Sequence, residues 1–424
     1  SEPFPLLNTS AEHFHAAIAD QSAAVSAAAR RRRQSSAIGQ DIRAGDTGAA
    51  LATSKASLAA SDHFDHPASS SQRSSKRRRA RGLLARIRHA MIKRTYILPT
   101  ILLSIFGFLY ALDPSEKNPV HKFIFLSYPI EPGSDHPLAP PPGSPVHYGK
   151  GLNDIAFVTF YTIVLSFTRE FIMQELLKPL ARRAGIRSRA KQARFMEQAY
   201  TAVYFAFLGP AGMYVMRSTP VWYFNTRGMY ENFPHRTHEA GFKFYYLFQA
   251  AYWAQQAIVL VLGMEKPRKD FRELVGHHIV SLALIGLSYR FHFTYMGLAV
   301  YTTHDISDFF LATSKLLNYI DSPIVGPYFF LFMVVWIYMR HYLNLRIIWS
   351  IFTQFKTVGP YVLDWAAEQY KCWISNYITL GLLSSLQALN LFWLFFIVRI
   401  AYRFLRDKTA DDDRSEAEDE DDED

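Results

Sequence analysis

Eight apolar runs, each near the ~17–25 residues that a helix needs to cross a bilayer, alternate with polar stretches between residues 96 and 404. They cover 96–112, 155–177, 199–217, 241–263, 274–291, 295–315, 325–351 and 379–404. The pattern predicts an all-α, polytopic integral membrane protein. Residues 113–150 interrupt it with nine prolines, from Pro114 to Pro145, and read as an extended, solvent-exposed connection. Residues 1–94 are rich in Ala, Ser and Arg with little apolar periodicity. Such a segment cannot bury enough surface to offset its ordering entropy, and the acidic run 409–424 reads the same way. The expected organisation is a basic arm (1–94), a first span with its Pro-rich loop (95–150), a membrane domain (151–408) and an acidic tail (409–424).

Composition and charge sharpen this picture. Half the residues are hydrophobic, yet the mean hydropathy is −0.02, so polar ends flank an apolar middle. The net charge of +9 is unevenly placed. Ten Lys or Arg lie between Arg73 and Arg94, seven between Lys178 and Arg194, and Lys266, Arg268, Lys269 and Arg272 between the fourth and fifth runs. Arg399, Arg403, Arg406 and Lys408 close the last run. Basic loops stay on the cytosolic side, and all these clusters fall there if eight spans leave both termini in the cytosol. Arg30–Arg33 and Lys76–Arg79 resemble nuclear-localisation signals, but their place before a span favours orientation and contact with anionic lipid. No nucleic-acid domain is expected. A single cysteine, Cys372, excludes an internal disulfide and a Cys-based zinc site. No cleavable signal peptide is expected, and the sequon Asn8-Thr9-Ser10 falls in the arm placed in the cytosol.

The fifth and sixth runs carry the candidate chemistry. The fifth holds His277 and His278; the sixth holds His304, Asp305 and Asp308. An Asp at the centre of a span costs ~2.5–3.5 kcal/mol on insertion scales, so ionisable groups there face a bundle interior or a wet cavity. At 100° per residue, His304 and Asp308 lie within ~40° of each other, with Lys315 on the same stripe. His277 is ~6 Å from the cytosolic end of its helix and His304 ~14 Å from the luminal end of the next, so the clusters meet in the cytosolic half of the membrane. Imidazole serves as nucleophile or general base, and a carboxylate orients it. That set suits acyl transfer from a thioester, with Lys266, Arg268, Lys269 and Arg272 near the phosphates of acyl-CoA. A zinc-dependent amidase is the competing reading, although adjacent His277 and His278 point ~100° apart on the helix, awkward for one ion. Arg340, His341 and Asn344 are expected to satisfy one another or to line the cavity.

The run Glu265–Phe271 through His277-His278-Ile279-Val280, Ser288-Tyr289 and Gly297, then His304-Asp305-Ile306-Ser307-Asp308, Lys315 and Asn318-Tyr319, resembles the signature of ceramide synthases. It is similar to the longevity-assurance motif of the TLC domain. Phe244–Leu247, Trp253–Gln256, Trp336–Tyr338, Arg340–Tyr342 and Tyr370–Ile374 extend the likeness over roughly 150–405. The basic arm, the acidic tail and the lack of a homeobox-like insert resemble the fungal form. The resemblance implies a bundle enclosing a cytosol-facing cavity in the endoplasmic reticulum membrane. It implies transfer of a very-long acyl group from acyl-CoA to phytosphingosine or dihydrosphingosine, with no cofactor beyond the acyl-CoA co-substrate and no metal. A small single-span subunit and a dimer are implied partners; a non-enzymatic TLC lipid-binding role is the remaining alternative. His277 is the expected acyl acceptor and His278 the base, with Asp305 and Asp308 orienting and His304 beside them. The loop between Thr357 and Trp373 is expected to select acyl length, and Ser415, followed by Glu416 and Glu418, to be phosphorylated by an acidic-directed kinase.

Overall fold

The computed structural model describes residues 94–264 and 270–407, all within one compact unit. The basic arm and acidic tail, with Ser415, lie outside the described residues, as do Lys266, Arg268 and Lys269.

Helices form where the apolar runs lie. They are α1 (Ile97–Leu112), a short α2 (His121–Ile124), α3 (Asn153–Phe171), α4 (Lys178–Arg183), α5 (Arg189–Arg217), α6 (Ala240–Val261), α7 (Phe271–Arg290), α8 (Thr294–Tyr319), α9 (Val325–Trp336), α10 (Asn344–Thr353) and α11 (Trp373–Asp407). Two π-helical stretches, Ile172–Leu177 and Ile337–Leu343, join α3 to α4 and α9 to α10 without a break. Among the described residues, the stretches 153–183, 189–217 and 373–406 are long and apolar enough to cross a membrane, and α1 is shorter but apolar. Helices α6, α7 and α8 carry several buried Gln, His and Asp residues, among them Gln249, Gln255, His277, His304 and Asp305. Helix α1 buries none of its residues, and Leu98, Ile101, Ile105 and Phe108 point outward. Apolar side chains exposed along one helix suit lipid, not water.

The Pro-rich segment departs from the expected extended loop, and the fold is not purely helical. Pro129–Ile130, His147–Tyr148 and His238–Glu239 form a three-stranded antiparallel sheet of two-residue strands. Lys243 of α6 holds it in place. Its fully buried ammonium pairs with Asp154 at 2.7 Å and donates to the carbonyls of Ser127 (2.9 Å) and Gly149 (2.7 Å). This sheet, the turn around Tyr230, the α7–α8 turn and the 354–372 loop gather at one end of the bundle, here termed the loop end.

Buried titratable groups knit the loop end together. Lys150 donates to the His235 carbonyl at 2.8 Å and lies 3.2 Å from His292 Nδ1. Burial first, then the Lys150 charge, pushes His235 down to about 4 and His292 to about 3. Both imidazoles are therefore neutral near pH 7, and His292 meets Glu368 at 3.6 Å as a neutral ring. A base whose folded pKa lies below its unfolded value contributes full stability above ~6.5 and loses it as pH falls toward the folded value. Hydrogen exchange in 231–239 and 291–294, corrected for intrinsic rates, should accelerate between pH 6.5 and 4.5, with each histidine contributing on the order of 2 kcal/mol of destabilisation by pH 5. Unchanged protection over that range would contradict this account of the loop end.

Candidate active site

Asp270 immediately precedes helix α7, and its carboxylate accepts a hydrogen bond from Trp393 Nε1 of α11 at 3.2 Å. Two turns on, His277 is buried at 6% exposure. Two indole rings wall it edge-on: Trp253 of α6 at 5.5 Å and Trp393 at 5.3 Å. Among the described residues His277 Nδ1 is sealed without a hydrogen-bond partner, which leaves Nε2 as the ring nitrogen facing open space. His278 stands nearly perpendicular, 87° away with its ring at 5.9 Å. Its Nδ1–H donates to the Leu274 carbonyl at 2.9 Å; a carbonyl only accepts, so the tautomer leaves Nε2 with a lone pair.

Helix α8 supplies the second half. His304 Nδ1–H donates to the Val300 carbonyl at 2.8 Å, and its Nε2 faces the Asn390 amide at 3.4 Å. Asn390 Oδ1 accepts from Arg340 at 3.1 Å. Arg340 also donates to Ser307 Oγ at 2.7 Å, pairs with Asp308, and lies 4.2 Å over the Trp336 ring. It sits within the π-helical stretch Ile337–Leu343. One extra residue in a helical turn re-aims the side chains beyond it, and such turns recur at functional sites. Asp308 is thereby joined through Arg340 and Asn390 to His304.

Asp305 goes elsewhere. Fully buried, it accepts from Tyr245 at 2.9 Å and from Gln249, both on α6, and among the described residues it hydrogen-bonds no histidine. Of the two expectations for Arg340, His341 and Asn344, pairing with one another is absent among the described residues, whereas Arg340 does line the polar chamber. His341 and Asn344 both bond Gln387 of α11, at 2.7 and 2.8 Å, while Arg340 faces the site.

Two chambers meet at His277. The first, about 210 Å³, runs from His277 and His304 past Tyr246, Leu284, Tyr301 and Leu383 to Leu363, Trp365, Tyr370 and Cys372 at the loop end. Its walls are almost wholly apolar. The second, about 230 Å³, is lined by Glu197, Gln198, Gln256, His278, Asp308, Lys315 and Arg340 among others, and is much more polar. His277 and Trp253 line both. Within the 357–373 window, Thr357 and Trp373 themselves face outward; Leu363, Trp365, Tyr370 and Cys372 between them line the apolar chamber. Arg272 is exposed at the start of α7. Among the described residues no three His, Cys, Asp or Glu side chains stand close enough to hold a metal ion.

Residues 194–399 match the TLC domain family model. A sphingosine N-acyltransferase-like protein of Gibberella moniliformis is 51% identical over 332 residues, 77% of this chain and 84% of its own length. A sphingosine N-acyltransferase of Schizosaccharomyces pombe is 50% identical, covering 82% of this chain and 89% of its own. A ceramide synthase of Saccharomyces cerevisiae is 45% identical, covering 78% and 77%. The chain belongs to the ceramide synthase family. The apolar helices and this membership make it a membrane protein. In this ceramide synthase chain Trp393 and Asn390, which lie outside the signature motifs, stand against His277 and His304, and Trp253, part of the sequence likeness, had been given no role. Tyr245, Gln249 and Trp253 recur at i, i+4 and i+8 on α6, one stripe of a helix, and that spacing was the available signal.

Proposed function

We propose that this chain joins an acyl group from acyl-CoA to the amine of a sphingoid base, with His277 as acyl acceptor. The observation that carries the reading is the position of His277 between an apolar chamber and a polar one. A long acyl chain has one chemistry, and the CoA and sphingoid headgroups another; the bond to be made lies where the two meet. Nε2 of His277 attacks the thioester carbonyl, the C–S bond breaks, and CoA leaves as thiolate. The amine then attacks the acyl-imidazole, a C–N bond forms, and the imidazole is the leaving group. His278, whose Nε2 holds a lone pair, takes the ammonium proton and passes it to the thiolate or to solvent. Trp253 and Trp393 exclude water, which protects the acyl-imidazole from hydrolysis.

The reading places the polar chamber toward the cytosol, with both termini on that side of the endoplasmic reticulum membrane. Asp308 acts through Arg340 and not by direct contact with His277, and Asp305 fixes the seat of α8 on α6. The single-span subunit and a second copy of the chain are proposed partners. The assay uses purified full-length chain with phytosphingosine or dihydrosphingosine and a series of acyl-CoAs. Amide product with one CoA released per amide is expected. Hydrolysis of added ceramide that depends on zinc, without CoA-dependent synthesis, would favour the amidase reading instead.

Acyl length is set by the closed end of the apolar chamber. Each buried CH₂ contributes about 0.8 kcal/mol, about fourfold in selectivity per carbon, until the chain meets the wall. Trp365→Ala opens that wall and should shift the product spectrum toward longer chains, while the rate with the best substrate changes less than about threefold. A product spectrum identical to wild type would place the ruler in the helices.

A further inference from the structure

Helix α7 turns one narrow stripe inward. Of its residues only His277 and Ser281 are buried, at 6% and 9% exposure. Four positions apart, they stand on one face of the helix with Cβ atoms about 5–6 Å apart. Both line the apolar chamber. His277 has a part in the reaction proposed above, and Ser281 has none.

The Ser281 hydroxyl breaks the pattern of its neighbours. A serine inside a helix can give its proton to the carbonyl four residues back. Ser104, Ser166 and Ser385 do so at 2.8 Å. Ser288, further along α7, donates to the Leu284 carbonyl at 2.5 Å and pairs with Tyr246. For Ser281 that carbonyl belongs to His277, and among the described residues the hydroxyl bonds neither it nor any other group. The oxygen is not sealed in packing, as the Tyr301 hydroxyl is; it keeps accessible surface, and the space beside it is the chamber. An unpaired donor in an apolar wall calls for a reason.

Its place relative to His277 supplies one. Helical side chains lean toward the N-terminus of their helix, so the Ser281 hydroxyl leans toward the turn that carries His277. An O–H···O contact spans about 2.7 Å. The interval between the two side chains therefore admits a carbonyl group bonded to the His277 ring and hydrogen-bonded by Ser281. Other donors nearby are occupied: the Asn390 amide faces His304, and Arg340 serves Ser307, Asp308 and Asn390.

We infer that Ser281 is a further catalytic residue, whose hydroxyl donates to the acyl carbonyl oxygen as that oxygen gains negative charge. This rests on the reading of His277 as acyl acceptor. When Nε2 bonds the thioester carbon, the C=O π pair moves onto oxygen, where the Ser281 O–H meets it. The pair returns as the C–S bond breaks and the thiolate leaves. The same oxygen takes up charge again when the amine attacks, and loses it as the bond to imidazole breaks. Ser281 keeps its proton throughout. A preorganised donor of this kind acts most strongly where water is excluded.

The test compares full-length wild type, Ser281→Ala and Ser281→Thr, first with acyl-CoA alone and then with sphingoid base. Ser281→Ala should slow both CoA release and amide formation by about 10²–10³-fold, with little change in the half-saturating acyl-CoA concentration. Ser281→Thr keeps a hydroxyl and should restore most of the rate. Infrared spectra of the acyl-enzyme, with the carbonyl isotope-labelled, give a readout that a structural role would not move. The carbonyl band should lie higher in the Ala variant than in wild type, because a hydrogen bond has been lost. The unfolding temperature of Ser281→Ala should match wild type, since the deleted hydroxyl bonds nothing in the free protein. Wild-type rates for Ser281→Ala in both half-reactions, a loss that Thr fails to restore, or an unshifted carbonyl band would overturn the inference. Ceramide formation by wild type with no acyl-enzyme at any time would overturn the His277 reading beneath it. The two failures are told apart by mass, since in the first wild type and Ser281→Ala load the acyl group equally fast and in the second neither loads it.

Discussion

Replacement of His277 by Ala is expected to lower ceramide formation by about 10³-fold or more, with folding intact. The residue stands apart from the charged network: its ring touches Trp253, Trp393 and His278, and among the described residues its Nδ1 bonds nothing. Its removal therefore leaves a small void between two indoles and no uncompensated charge. The unfolding temperature should fall by only a few degrees. His278→Ala should cost about 10²–10⁴ in rate, the usual contribution of a positioned base, and should still allow the acyl group to load. Near-normal turnover by His277→Ala would remove it from the mechanism.

The second large effect is on stability. Arg340 serves Ser307, Asp308 and Asn390 at once. Arg340→Ala strands the Asp308 carboxylate in a largely buried position and removes the donor that orients Asn390 toward His304. Breaking a buried ion pair from one side costs about 3–5 kcal/mol, and the unfolding temperature in detergent should drop roughly 5–10 °C. Combining Arg340→Met with Asp308→Asn takes out both charges and should recover at least half of that loss while activity stays low. Strict additivity of the two single changes would show that the pair is not coupled.

How much of this was legible in the sequence follows from which forces are local. The helices follow from the apolar runs: each of the eight expected runs coincides with a helix or a continuous helical stretch, and among the described residues three such stretches are long and apolar enough to cross a membrane. The π-helical stretch at Ile337–Leu343 has no periodic signature of its own, so nothing in the chain announced that Arg340 would face Asp308 while His341 and Asn344 turned to Gln387. The strand pairing of Pro129–Ile130 with His147–Tyr148 and His238–Glu239 is long-range and two residues deep. No alternation can be read in strands that short. On the candidate site, helical geometry put His304 and Asp308 on one face of the helix, and the structure links them through Asn390 and Arg340. It grouped Asp305 with them because a wheel gives angles within a helix and not the rotation of that helix against its neighbours. The polar partners on α6, Tyr245 and Gln249, decide that rotation, and they draw Asp305 away from the histidines.

The central claim is that His277 carries the acyl group between two half-reactions, and intact-protein mass spectrometry with acyl-CoA alone tests it most directly. In the absence of sphingoid base, the full-length chain should release one CoA per site and gain one acyl mass. That mass should map to His277, be absent in His277→Ala, and be discharged as amide when base is added. Steady-state kinetics requiring both substrates bound together, with no acylated protein at any time, would contradict the account.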